Sequence, residues 1–75
     1  MRINVAVNVR HEADGRQTPL AIIWEDGRKF EIDYVYDARR AASLKAGGVG
    51  MRYTCKIRSK KLYLFDEEGC WFLEG

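Results

Sequence analysis

The chain of 75 residues has few of the residue types on which common catalytic and metal sites depend. It contains one histidine, one proline and two cysteines. His11 has no second histidine or nearby cysteine with which to hold zinc, and nothing marks it as the base of a catalytic triad. Cys55 and Cys70 are too far apart for a CxxC motif. The sequence therefore predicts a protein that is not an enzyme, has no cofactor and no metal, and carries two buried free thiols.

Long apolar runs are also missing. No run approaches the roughly 20 residues that a membrane-spanning helix needs. The first five residues are polar at every second position, unlike the apolar core of a signal peptide. With 47% hydrophobic residues the chain is too apolar to be disordered. We therefore expect one folded domain over residues 1–75, in the cytoplasm and not bound to a membrane.

Acidic residues are absent from one long segment. Residues 38–65 carry eight Lys or Arg and no Asp or Glu, which gives a charge of +8 there and −6 in the rest of the chain. A segment of this kind can bind the phosphates of a nucleic acid, although runs of charge are more often solvated surfaces. This asymmetry is the sharpest functional clue in the sequence.

Apolar and polar residues alternate along much of the chain, as they do in half-buried β-strands. In the segment from Lys29 to Asp37 the alternation places Phe30, Ile32, Tyr34 and Tyr36 on the inner face and Val35 on the outer face. The pattern predicts six strands, which begin and end close to residues 3–10, 20–24, 29–37, 51–58, 61–65 and 70–73.

The connections between these segments are short. Asp26-Gly27 predicts a two-residue type I′ turn, and Ser59-Lys60 a second tight turn. Pro19 is expected to lie in an edge strand or at the first residue of a strand. Asp37 is a suitable N-cap for a short helix over residues 38–46 that ends at Gly47, although an irregular loop is the alternative.

Strands joined in sequence by tight turns form an antiparallel meander. A small sheet hides its edges best when it curls or closes. The sequence therefore predicts an all-β fold, with or without one short helix, in which the meander curls into an SH3-like barrel of five to six strands. An open twisted sheet that carries one short helix is the alternative.

A protein interface is the leading functional prediction. Several predicted strands are apolar on both faces, and a small barrel has only one interior. Either residues 38–46 cover the second face, or an aromatic patch formed by Tyr63, Phe65 and Trp71 remains exposed. An exposed patch of that kind usually marks contact with another protein or with a second copy. The expected function is therefore a non-catalytic, protein-binding or homodimerising module.

Nucleic-acid binding is the alternative prediction. On the segment 51–58, Arg52, Lys56 and Arg58 point outward, and the preceding segment adds further cations. Such a basic stripe can follow a phosphate backbone. If segment 29–37 lies beside segment 51–58, however, Glu31 and Asp33 are placed to neutralise it. The candidate nucleic-acid-binding residues are Arg39, Arg40, Lys45, Arg52, Lys56 and Arg58.

One pattern of residues runs through Pro19, Ile23 to Arg28, Ile32, Ala42 to Tyr53, Leu64 to Glu67 and Trp71-Phe72. This pattern resembles a family of short, uncharacterised bacterial proteins that form a domain of unknown function. The order of Pro19, Trp24, Gly27-Arg28, a tyrosine-containing strand and Trp71 is similar to that of small domains found near bacterial DNA-repair polymerase-like proteins. The resemblance covers nearly the whole chain and implies a bacterial, cytosolic β-domain with some leaning toward nucleic acid.

Overall fold

The computed structural model describes residues 2–42 and 49–74, and in these ranges the fold is all-β. Over 38–42 the expected helix is absent because these residues continue a strand; its remainder, with Gly47, lies outside the described residues. The described residues contain no helix that could cross a membrane. The strands are β1 (Arg2–Asn4), β2 (Ala6–His11), β3 (Gln17–Ile23), β4 (Lys29–Glu31), β5 (Tyr34–Ala42), β6 (Val49–Ile57), β7 (Lys60–Glu67) and β8 (Cys70–Glu74).

The strands form two antiparallel sheets. Five strands lie in the order β1-β8-β7-β6-β5, and three in the order β2-β3-β4. The first strand of the chain therefore pairs with the last, and β2 to β4 form a meander inserted between two strands of the larger sheet. The two sheets are not closed into a barrel, so the SH3-like barrel expected from the sequence is not confirmed.

The chain changes sheets at two breaks that divide two of the expected strands. At Val5 the backbone N–H donates to the carbonyl of Trp71, between β1 in one sheet and β2 in the other. At the second break the N–H of Ile32 still donates to Leu20 of β3, whereas that of Asp33 donates to Lys56 of β6. Bends of this kind let one chain form the corner of two packed sheets. They explain why six expected strands become eight.

The main core lies between the sheets. Its buried members are Ile22 from the small sheet and Tyr53, Cys55, Ile57 and Leu64 from the large one. Tyr53, Cys55 and Ile57 alternate along β6, as the sequence predicted for its inner face. We call this the inner face of the large sheet, and the opposite one, which carries Arg52, Thr54 and Lys56, the outer face.

Pro19 occupies neither of the positions expected for it. It is buried as the third residue of β3, which is the central strand of the small sheet. The register between β2 and β3 shifts between Asn8 and Val9, so that Val9 lies opposite Pro19. A β-bulge is another place where a sheet tolerates proline, because the ladder is already interrupted there.

Two hairpins of the small sheet use the same turn. In both, a three-residue loop ends in glycine with positive φ, Gly15 at 92° and Gly27 at 89°. Asp26 accepts a hydrogen bond from the backbone N–H of Arg28, and this bond is the main reason that the pKa of Asp26 lies below its usual value. Only Gly27 of the Asp-Gly pair has positive φ, so the two-residue type I′ turn expected there is wrong.

Two-residue turns occur instead in the large sheet. Arg58 and Ser59 have φ of 51° and 67°, and Glu68 and Gly69 have φ of 53° and 85°. Positive φ at both central residues is the signature of a type I′ turn. The turn after β6 is therefore Arg58-Ser59, one residue earlier than the sequence predicted.

Replacing Ser59 with glycine is expected to stabilise the protein. A residue with a side chain is strained at positive φ by about 1–2 kcal/mol, and glycine removes this strain. Glycine also loses more conformational entropy on folding, which costs about 0.5–1 kcal/mol. We expect a net gain of about 0.5 kcal/mol, or a midpoint roughly 3 °C higher in thermal unfolding. Ser59→Ala keeps the Cβ and should not gain. Equal midpoints for the two variants would contradict the strain argument.

Candidate functional site

The predicted basic residues divide between two sides of the molecule. Arg39 of β5 lies opposite Arg52 of β6, so both are on the outer face together with Lys56. Arg40 lies opposite Met51 and therefore on the side of the inner face, although it is exposed. The structure thus brings three of the six predicted residues together.

Arg58 lies away from this group. Arg58 is in the turn after β6, and its guanidinium lies 5.7 Å from the ring centroid of Phe30. There it lines a largely apolar cleft of about 620 Å³ near the edge of the main core, with Trp24 and Lys60. Lys45 lies outside the described residues.

The acidic residues expected to neutralise the basic face do not do so. β5 does lie beside β6, but neither acid forms an ion pair with Arg52 or Lys56. Glu31 is in the small sheet, 3.4 Å from Lys29. Asp33 accepts a hydrogen bond from the backbone N–H of Arg58. No ion pair in the described part of the chain involves Arg52, Lys56 or Lys61.

Asp37 is the acidic residue of β5 that does share the outer face. It lies opposite Thr54, and one carboxylate oxygen is 3.4 Å from Nε of Arg39. Its other oxygen, Oδ1, is buried and has no hydrogen-bond partner. Asp37 therefore pairs with Arg39 and forms no ion pair with Arg52 or Lys56.

Two tyrosines expected in the core lie instead on the outer face. Tyr34 is 60% exposed and Tyr36 50% exposed, whereas Val35 packs on the core. Tyr34 and Tyr36 do not point into the core because the chain passes from one sheet to the other at Asp33. One signal could have revealed this: the predicted partner, residues 20–24, is too short to pair with the whole of 29–37.

The exposed rings and the cations of the outer face contact one another. Lys61 Nζ lies 5.6 Å from the ring centroid of Tyr36, and Tyr36 contacts Tyr34 edge-on with centroids 5.1 Å apart. The guanidinium of Arg52 lies 5.2 Å from the ring of Tyr63, which is 42% exposed. We call this set the basic–aromatic surface. Its members are Tyr34, Tyr36, Arg52, Lys56, Lys61 and Tyr63.

The other end of the outer face is closed by a small second core. Phe65 and Phe72 stack with centroids 5.2 Å apart and an angle of 9° between the rings. The guanidinium of Arg2 lies 3.9 Å above the ring of Phe72 and also pairs with Glu67 at 3.7 Å. Thr54 is also buried on this face, opposite Tyr63 in the register. The exposed basic surface is therefore limited to the part of the sheet nearest β5.

The predicted aromatic interface is not assembled on one surface. Tyr63 is exposed on the outer face, and Phe65 is buried there against Phe72. Trp71 belongs to the inner face, where it stacks on Tyr53 with centroids 5.5 Å apart. Only Tyr63 of the three residues is available to a partner without rearrangement.

The cysteines occupy different environments. Cys55 is buried in the main core, and burial raises the pKa of its thiol to about 11, so it stays protonated at neutral pH. Cys70 is on the outer face and exposed, which corrects the expectation that both thiols are buried. Both are free.

No metal-binding group of three or more His, Cys, Asp or Glu occurs among residues 2–42 and 49–74. No protein-family model, no curated protein and no solved structure matches the chain. The resemblance to short bacterial proteins stays a prediction.

Proposed function

We propose that this protein is a small, non-catalytic domain that binds single-stranded nucleic acid on the basic–aromatic surface. The observation that supports it best is the alternation of exposed tyrosine rings and unpaired cations on one sheet face. The proposal keeps the cytoplasmic location predicted from the sequence.

The chemistry of the surface suits a single strand better than a duplex. Bases of a single strand are free to stack on aromatic side chains, and each such stack contributes about 1–3 kcal/mol. Tyr34, Tyr36 and Tyr63 offer rings at two places on the sheet. Lys56 and Lys61 are direct neighbours in the register between these places and can contact the phosphates.

Arg39 and Arg52 add a site for one phosphate. They are directly opposite each other on neighbouring strands, and like charges in that position repel. A phosphate between the two guanidiniums would relieve the repulsion, since arginine binds phosphate through paired N–H groups.

Charge reversal on the surface gives the test. Lys60 and Lys61 are adjacent on β7 but point to opposite faces, so Lys60→Glu is a matched control. Labelled single-stranded DNA, single-stranded RNA and duplex DNA of one sequence are titrated by fluorescence anisotropy at several salt concentrations. We expect Lys56→Glu/Lys61→Glu to weaken single-strand binding about tenfold or more and to reduce the salt slope by about 1.4. Lys60→Glu should change little.

The tyrosines are tested separately. Tyr34→Ala/Tyr36→Ala should weaken single-strand binding by about tenfold while leaving the salt slope unchanged, because stacking releases no counterions. Thermal unfolding of each variant confirms that it is folded. The proposal fails if the wild type does not bind single strands at low salt, or if Lys60→Glu weakens binding as much as the paired substitution does. If the protein binds the duplex more tightly than the single strands, the proposed function is wrong and the protein is a duplex-binding domain.

A protein-binding or homodimerising function is the second proposal. The observation that favours it is not the predicted patch of Tyr63, Phe65 and Trp71 but an exposed strand at one edge of the large sheet. β5 is the last strand in the order of that sheet, and within residues 2–42 and 49–74 it pairs only with β6.

A further inference from the structure

We propose that β5 pairs with β5 of a second copy of this chain, antiparallel about a two-fold axis at Ala38. The proposal does not depend on nucleic-acid binding. β5 is nine residues long and ends the sheet, so one row of its backbone N–H and C=O groups faces away from β6. Such an edge is a template for another strand.

The edge carries charges that select one register. In an antiparallel pair of identical strands, a two-fold axis perpendicular to the sheet passes between the two strands, where one residue lies opposite its own copy. We name each axis by that residue. An axis at Asp37 would oppose two carboxylates, and an axis at Arg39 two guanidiniums. An axis at Ala38 places Asp37 opposite Arg39 of the second copy, twice. Of these three axis positions, only Ala38 places opposite charges across from each other.

The Asp37 carboxylate supports the same register from within one chain. Its Oδ1 is buried without a hydrogen-bond partner, although its other oxygen contacts Arg39 of the same chain. In the proposed pair, the guanidinium of Arg39 from the second copy would approach this carboxylate from across the new strand boundary. The Asp37 side chain is 39% exposed, so the second guanidinium can reach the carboxylate, and an opposite charge across the strand boundary favours association.

The edge also contains features that keep the association weak. A register irregularity lies between Val35 and Asp37. An axis at Ala38 places Arg40 and the residues after it opposite this irregularity in the second copy, so regular pairing is limited to Asp37, Ala38 and Arg39. Ala38, Arg39 and Arg40 are all exposed. Bulges and basic residues are common devices that protect edge strands from uncontrolled pairing. We therefore infer a reversible dimer that forms a continuous ten-stranded sheet, with two basic–aromatic surfaces on the same face.

Cross-linking at the axis tests the register. Ala38→Cys is made in a Cys70→Ser background, so that the exposed native thiol does not react. Residues that face each other across antiparallel strands have Cα atoms about 4.5–5.5 Å apart, which a disulfide spans. We expect mild oxidation to give mainly disulfide-linked dimer. Ala6→Cys in the same background is the matched control, an exposed alanine on β2 at the edge of the other sheet, and should give little.

A charge exchange tests the pairing without covalent chemistry. Asp37→Arg and Arg39→Asp each place like charges opposite each other in the dimer, and we expect each to weaken self-association at least tenfold in sedimentation equilibrium. The double variant restores both pairs and should return most of the affinity. A wild type that is monomeric at high micromolar concentration overturns the proposal, and so does a double variant no better than the singles. These measurements contain no nucleic acid, so they fail or succeed independently of the proposed function.

Discussion

Phe72→Ala is expected to lower the free energy of unfolding by about 3–5 kcal/mol, most of the stability of a domain this small. The Phe72 side chain is completely buried. Its ring stacks on Phe65 with centroids 5.2 Å apart, and the guanidinium of Arg2 lies 3.9 Å above it. Alanine removes both contacts and leaves a cavity between three strands that cannot collapse without moving the sheet.

Urea unfolding followed by circular dichroism measures this effect. Tyr34→Ala is the control, because Tyr34 is an aromatic residue of the same sheet face but is 60% exposed. It should cost less than about 1 kcal/mol, as most exposed positions do. If Phe72→Ala and Tyr34→Ala had similar midpoints, the second core would contribute nothing to stability.

The second core also shows where sequence patterns stop being informative. β7 and β8 are apolar on both sides, and the sequence predicted either that residues 38–46 cover the second face or that an aromatic patch is exposed there. In the structure the stacked rings of Phe65 and Phe72 are buried on that face, with Arg2 against Phe72. Arg2 reaches this place because β1 pairs with β8, a contact between the two ends of the chain. Local alternation carries no information about such a contact.

The strands themselves were largely predictable because their alternation is local. β6, β7 and β8 begin and end within two residues of the predicted bounds. The breaks at Val5 and Asp33 were not predicted, because the alternation of apolar and polar residues continues across both of them. Which sheet a strand joins depends on pairing between distant segments, so eight strands in two sheets could not be obtained from periodicity alone.

The candidate site was predictable to the same extent. The outward direction of Arg52 and Lys56 follows from alternation within β6 and is confirmed by the register. The exposure of Tyr34 and Tyr36 on the outer face was not predicted, because the face to which they point depends on the bend at Asp33. The same bend moves Glu31 into the other sheet, and so the neutralisation expected from sequence does not occur. A single corner thus accounts for both differences at the site.

Gly50→Ala is expected to cost about 3 kcal/mol, although Gly50 does not have positive φ. A Cβ at this position would overlap the backbone carbonyl oxygen of Asp66 on β7 and lie 3.0 Å from Cγ of Glu67. Because the obstacle is backbone, two central strands would have to separate. Gly27 is the control: its φ is 89°, but nothing lies within 4 Å of an added Cβ, so Gly27→Ala should cost only about 1–2 kcal/mol of strain. Urea unfolding of both variants decides between close approach and conformational freedom as the reason for glycine at position 50. A smaller loss for Gly50→Ala than for Gly27→Ala would show that close approach to β7 is not the reason for glycine at position 50.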